Sequence, residues 1–353
     1  MRSKAFEVRV DVILEVGGRR VADCRVAKLL LLVGRYGSIL AASRALGIPY
    51  SRAWEALVRA ERALGEKLVE VRRGGRGGGG ARLTEAGREL LEEYLEVYRR
   101  VTGRELEVRS TGFTVPDLVY MGSHDPCIEI LAGLLRGRGV GSVELSWTGS
   151  GIGLAALAVG EADVAGLHLL DPASGEYNKP YIGRYWLEGE VALVRGYYRE
   201  VGFITREPLS YEEVVEGLVS GRLRLVNRQR GSGTRILLEH VLAGELGRRG
   251  LKPSAMRGVP GFEKVVSTHT EVARAVASGE ADVGMGIRWA AVQYGLYFTR
   301  VRWEAFDFAI PRQRLGRGAV KAFLEALKSR DFREQVGRLP GYEVPSDIGE
   351  EVL

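Results

Sequence analysis

Cysteine is nearly absent: Cys24 and Cys127 are the only two in 353 residues. They fall in segments assigned below to different domains, which argues against a structural disulfide and leaves no thiolate metal site. Both read as small buried thiols. Histidine is sparse too, and the four, His124, His168, His240 and His269, show no metal-ligand spacing, His240 reading as a surface helix residue. No apolar run approaches the roughly 20 residues of a membrane span, and the opening MRSKAFEVRV lacks the apolar block of a signal peptide. A cytoplasmic protein with no membrane partner and no metal is therefore expected. Lysine is scarce too, with arginine outnumbering it roughly fivefold, a bias that genome composition or heat adaptation produces as readily as function.

Acidic residues are short in the first third only. Residues 1–102 hold 20 Lys and Arg against 13 Asp and Glu, net +7, whereas the rest of the chain carries net −1. A polyanion-binding N-terminal module on a neutral body fits this asymmetry. The length suits two or three domains, and 45% hydrophobic content is ample for packed cores.

Alternation over Phe6–Val16, ending at Gly17-Gly18, predicts a strand of a small sheet or hairpin. Val26, Leu29, Leu30 and Val33 then mark a helix. In GSILAASRALGIPYSRAWEALVRAERALG, Ser38 is a plausible N-cap and Ile39, Ala42 and Leu46 form one face. Gly47-Ile48-Pro49 turns the chain, and a second helix keeps Ala53, Leu57, Ala60 and Leu64 together, giving a helix-turn-helix. KLVEVRRGGRGGGGARLTEAG follows as strand, glycine-rich tip, strand and helix cap. With Arg72, Arg73, Arg76 and Arg82 around it, that tip suits close approach to a phosphate backbone. Thr84 opens an amphipathic helix to about Val101, either packed on its own domain or serving dimerisation.

GSILAASRALGIPYSRAWEAL and GGRGGGGARLTEAG resemble the winged-helix domain of ModE-type regulators and, more distantly, of LysR-type regulators. The likeness spans about residues 5–101. It implies a homodimer or higher homo-oligomer bound to a double-stranded DNA operator, with Tyr50, Ser51 and Arg52 facing DNA and Arg72, Arg73, Arg76 and Arg82 on phosphates. Ser38 is grouped with these DNA-facing residues, and Trp54 reads as core packing. The paired small β-barrels that bind molybdate in ModE have no counterpart in this chain.

From about residue 115 strands alternate with helices, the pattern of a parallel sheet covered by helices. The phrase GEADV occurs twice, at Gly160–Val164 and Gly279–Val283, each time after an Ala/Val-rich helix. Two similar halves facing across a cleft account for the repeat. The loops that would face this cleft carry Ser123 and His124, then Thr148, Ser150 and Gly151, then Ser232, Gly233 and Thr234, then Thr268, His269 and Thr270. Free N–H groups and hydroxyls at helix starts are how neutral protein groups hold an anion. His168 lies near the same cleft. Arg228 and Arg235 bracket the Gly-Ser-Gly turn, either to pair with an anion or to bridge to nearby carboxylates.

Rival chemistry is thin. Ser123, His124 and Asp125 are consecutive and cannot converge as a catalytic triad. The Gly151/Gly153/Ala156 spacing matches a dinucleotide fingerprint only loosely, and GSGTR lacks a P-loop lysine. No enzyme and no cofactor are expected.

GSHDPCIEIL, TGSGIGLAALAVGEADVAGLHLLDPASGEYNKPYI and above all LVNRQRGSGTRILLEHVL resemble the periplasmic-binding-protein-like domain associated with molybdenum-cofactor proteins. The expected fold class is thus α/β: an N-terminal winged helix-turn-helix at 1–83, a linker or dimerisation helix and connector at 84–114, and a two-lobed type II domain at 115–353. Lobe 1 would take about 115–196 and 303–353, lobe 2 about 203–298, with crossings near Arg195–Phe203 and Phe298–Trp303. The resemblance implies molybdate or tungstate as effector, with a molybdenum-cofactor precursor or other phosphorylated anion as the alternative.

Overall fold

A computed structural model describes residues 10–72, 80–107 and 116–353. The chain divides into two compact units, Met1–Val115 with Val159–Glu161 and Pro116–Ala158 with Ala162–Leu353.

In the first unit, strands Leu14–Val16 and Arg19–Ala22 form a hairpin whose turn, Gly17-Gly18, has φ of 57° and 73°. Helices Cys24–Tyr36, Ile39–Ala45 and Tyr50–Leu64 follow, then the antiparallel pair Val69–Arg72 and Gly80–Leu83, then helix Glu85–Thr102. Side chains of Asp23, Ser38 and Thr84 accept from the amides of Val26, Ala41 and Gly87, so three of the four helices start on an oxygen cap. Leu29, Leu30, Val33, Ile39, Ala42, Ala53, Leu57 and Leu68 are buried together as the 3.6-residue period requires. Each large aliphatic side chain so buried contributes about 1.5–3 kcal/mol. This is a winged helix-turn-helix.

One detail differs from expectation, and one of two alternatives left open is met. The strand predicted over Phe6–Val16 shrinks to Leu14–Val16 among the described residues, because its partner ends at Ala22 and Asp23 is already the N-cap of the next helix. Helix Glu85–Thr102 packs on its own domain: Tyr94 is fully buried and its hydroxyl donates to the Val12 carbonyl at 3.1 Å.

In the second unit, two strands of fifteen residues, Val191–Thr205 and Tyr297–Pro311, pair antiparallel along their length and thread both lobes. Toward one end Val283–Ile287 joins the first of them and leads through Leu225–Arg228 to Val265–Val266. Toward the other, Ala165–Leu167 joins Tyr297–Pro311, and a Tyr120–Val164 bridge continues to the parallel strands Leu118–Gly122 and Val143–Trp147. Helices cover both sheets. This double crossover is the type II arrangement, and it sets the first-turn ends of several helices around the middle of the two long strands.

The repeated phrase has a structural duty. Gly160 and Gly279 both adopt φ of 75°, reversing the chain after their helices. Asp163 then clasps one residue of the adjoining strand: its amide donates to Val119 O at 2.8 Å and its carboxylate accepts from Val119 N at 2.8 Å. Asp282 treats Arg224 in the same way, at 2.8 and 2.9 Å. GEADV thus ties helix to sheet in each lobe, at the far end of its helix from the hydroxyl-rich start.

Candidate functional site

The long strands bury charged residues, Arg199 and Glu200 on one and Glu304 and Asp307 on the other. Arg199 and Glu304 are fully buried, with Arg199 Nε donating to Glu304 Oε1 at 2.6 Å. Arg199 Nη1 also donates to Asp125, the N-cap of helix Pro126–Gly137. Asp125 is otherwise saturated by the Cys127 amide and the hydroxyls of Tyr197 and Tyr342 at 2.8–2.9 Å. The guanidinium lies 4.8 Å from the Phe306 ring centroid. One cation therefore answers two carboxylates at the point where the chain crosses between lobes.

Glu304 carries the order outward. Burial would raise its carboxyl, but His168 and Arg199 beside it hold it down at about 2. An ionised Glu304 accepts from His168 Nδ1 at 3.3 Å, which leaves Nε2 as the acceptor for the Ser123 hydroxyl at 2.7 Å. His168 N in turn donates to Ser150 Oγ at 3.2 Å. Ser123, Ser150 and His168 are thereby locked together in lobe 1.

Lobe 2 brings Arg228 and His269. Arg228 is 2% exposed; Nη1 donates to His269 Nδ1 at 3.0 Å and Nη2 to the Ser267 carbonyl at 2.8 Å. A guanidinium only donates, so the His269 proton sits on Nε2. Burial, with Arg199 nearby, pulls Arg228 down to about 10, still charged at neutral pH. His124, His168 and His269 are lowered chiefly by burial, so all three are neutral there.

Arg228 thus has no carboxylate in contact, unlike Arg199. Among the described residues, Arg228 Nε and the neighbouring Arg199 Nη2, His269 Nε2 and His124 Nδ1 are buried without partners, as are Ser232 Oγ and Thr234 Oγ1 in the turn that follows Arg228. Such groups cost about 1–3 kcal/mol each when left unbonded. Helices Ser150–Ala158 and Gly233–Arg248 add first-turn amides that have no intrahelical acceptor, and the Ser232 side chain caps nothing. The lobes touch beside these donors, since a Cβ added at Gly233 would fall 2.1 Å from His168 O and one at Gly149 3.3 Å from Gln229 Nε2.

Several predicted residues do not join this set. Arg235 is committed to Glu239 at 2.7 Å and the Arg228 carbonyl at 3.1 Å, over the Phe262 ring, so the carboxylate bridge is what it makes. Thr268 caps its helix through Glu271, in a reciprocal box. The amides of Thr148 and Gly149, expected to be free, both donate to Gly122 O. Thr148 Oγ1 has only the Gly149 carbonyl at 3.5 Å, and Thr270 is half-buried beside His269 without a hydrogen bond that ties it to the group. Gly151 lines the lobe contact through Tyr185 and Gly231. Sequence reasoning missed Arg199, Glu304 and Asp125, because both strands carry several charged residues and nothing local marks which of them are buried. Among the described residues no cluster of three or more His, Cys, Asp or Glu could hold a metal ion.

On the winged helix, Tyr50 does not face outward as predicted: it is 4% exposed and stacks on half-buried Trp54 with centroids 6.2 Å apart. Arg52 is exposed. Ser38 Oγ serves as helix cap, accepting from Ala41 N. Arg82 is exposed and paired with Glu70 at 2.6 Å. The side chains of Ser51 and Arg72, and all of Arg73 and Arg76, lie outside the described residues.

Residues 132–328 match the family profile of the PBP superfamily domain. The chain belongs to the PBP superfamily. Residues 25–88 match bacterial regulatory helix-turn-helix proteins of the LysR family, so a LysR-type helix-turn-helix precedes the PBP-superfamily body. Relatives include the uncharacterized protein YvgK of Bacillus subtilis, 30% identical over 187 residues, covering 52% of this chain and 57% of YvgK. Molybdenum-pterin-binding protein MopB of Rhodobacter capsulatus is 43% identical over 83 residues, 24% of this chain and 30% of MopB. Transcriptional regulator ModE of Yersinia pestis is 36% identical over 89 residues, 25% of this chain and 34% of ModE. The chain thus spans little more than half of YvgK and about a third of MopB and ModE. No described helix is long and apolar enough to cross a membrane.

Proposed function

We propose that this protein is a cytoplasmic one-component transcription regulator. Its winged helix binds double-stranded DNA as a homodimer, and the cleft of its binding-protein-like body holds a small oxyanion, molybdate or tungstate. The observation that carries the ligand reading is Arg228: a buried guanidinium with no carboxylate in contact, set among unpartnered donors from both lobes. An anion would answer all of them at once. The touching lobes favour a small one, and the molybdenum named for MopB agrees with the metal. A second reading, a molybdenum-cofactor precursor or other phosphorylated anion, is favoured by charged rather than wholly neutral donors at the site. Regulation follows if anion binding favours the closed arrangement of the lobes over a more open one and the two bind DNA unequally.

The DNA half of the proposal is tested at Arg52, exposed on the first turn of the recognition helix. Arg52→Ala is expected to cost about 1–3 kcal/mol on the preferred duplex and much less on unrelated duplexes, read by fluorescence anisotropy. Equal affinity of variant and wild type on every duplex would remove Arg52 from base recognition.

A further inference from the structure

We propose that a groove beside the recognition helix is a second contact for the DNA backbone, receiving phosphates that flank the bases. It rests on the DNA-binding reading above and concerns residues that neither the motif nor the wing had singled out. The groove encloses about 710 Å³ between the N-terminal hairpin with the start of helix Cys24–Tyr36 on one wall and helix Tyr50–Leu64 on the other. Arg20, Arg25 and Lys28 line the first wall, Arg52 and Arg59 the second. Arg52, Ala56 and Arg59 fall at i, i+4 and i+7 and so form one stripe of the helix.

Among the described residues the acidic ones that line it are Asp11 and Asp23. Asp23 is spent: one oxygen caps Val26 N at 2.8 Å and the other pairs with Arg20. Arg25, Lys28, Arg52 and Arg59 engage no carboxylate among the described residues. Buried Val21, Val26 and Ala60 also line the groove, and all four cations stand on helices and not on a loop. Four like charges in one groove repel one another, and a polyanion is the complement that relieves them. The net +7 of residues 1–102 points the same way. Because Arg52 sits at the start of the recognition helix, a strand whose bases meet that turn would pass its neighbouring phosphates along the groove.

Phosphate contacts carry no sequence information, so a labelled duplex of arbitrary sequence suffices as probe. Full-length protein is titrated at several salt concentrations and the slope of log K against log salt is read. Arg25→Ala and Arg59→Ala, on opposite walls, should each make the slope shallower by about 0.9, and the double variant by about 1.8. Arg248→Ala, exposed at the end of helix Gly233–Arg248 in the other unit, serves as control and should leave the slope unchanged. Wild-type binding with an unaltered slope in all folded groove variants would overturn the proposal, as would an equal change in the control. Absence of any wild-type binding would instead fail the DNA reading on which it rests.

Discussion

Replacing Arg228 by methionine is expected to do two opposite things: abolish oxyanion binding and stabilise the ligand-free protein. Truncating one partner of a buried charge pair costs about 2–5 kcal/mol, which is a loss of roughly thirtyfold to several thousandfold in affinity. The ligand-free protein should still gain, by less than the about 1–4 kcal/mol of replacing a whole buried ion pair, because relief of the buried guanidinium outweighs the loss of a donor to His269 Nδ1 and the Ser267 carbonyl. Thermal melts with and without tungstate separate the two effects. In wild type the anion should raise the midpoint; in Arg228→Met the midpoint should start higher and no longer respond. A variant that melts lower and still responds would show Arg228 to be a structural cation after all.

Arg199→Met should behave in the contrary way, although both arginines are buried. Removing Arg199 leaves Asp125 and Glu304 in the interior without their cation, a defect worth about 3–5 kcal/mol at neutral pH. The pH dependence follows from sign. Glu304 is depressed from 4.5 to about 2, so its contribution to stability is fully present above the unfolded value and is lost as pH falls through that interval. The three histidines, lowered from 6.5 mainly by burial, act in the same sense: folding disfavours their protons, so stability declines as pH drops below 6.5. Wild type should therefore lose stability steadily in acid. In Arg199→Met the deficit relative to wild type should be greatest near pH 7 and shrink below about pH 4.5, where Glu304 can take up a proton. Chemical denaturation from pH 7 to pH 4 measures it, and a deficit independent of pH would dissociate Arg199 from Glu304.

These two arginines also mark where the sequence was readable and where it was not. The lobes, the winged helix and the loops at helix starts show themselves through local signals: periodicity, glycine turns and hydroxyl-rich caps. The doubled GEADV was legible as a repeat but its duty was not, since its aspartates bind Val119 and Arg224, 44 and 58 positions away. Arg228 stood out because it adjoins the Gly-Ser-Gly turn, but whether it met carboxylate or ligand depended on residues far along the chain. Arg199 and its partners were invisible for the same reason: Asp125 lies 74 positions away and Glu304 lies 105. Asp125 drew notice only beside Ser123 and His124, whereas its contacts are Arg199, Tyr197 and Tyr342. Tyr50 misled by analogy. At the first position of its helix it lies four residues from Trp54, and stacking on that ring turns it inward where a DNA-facing role was expected.

The account stands most directly on whether the cleft takes a metal oxyanion. Calorimetric titration of the full chain with tungstate, and in parallel with molybdate, sulfate and phosphate, is the decisive measurement. The account predicts saturable heat at one site per chain with tungstate or molybdate, lost in Arg228→Met. No heat with either metal oxyanion, whatever phosphate does, would contradict it.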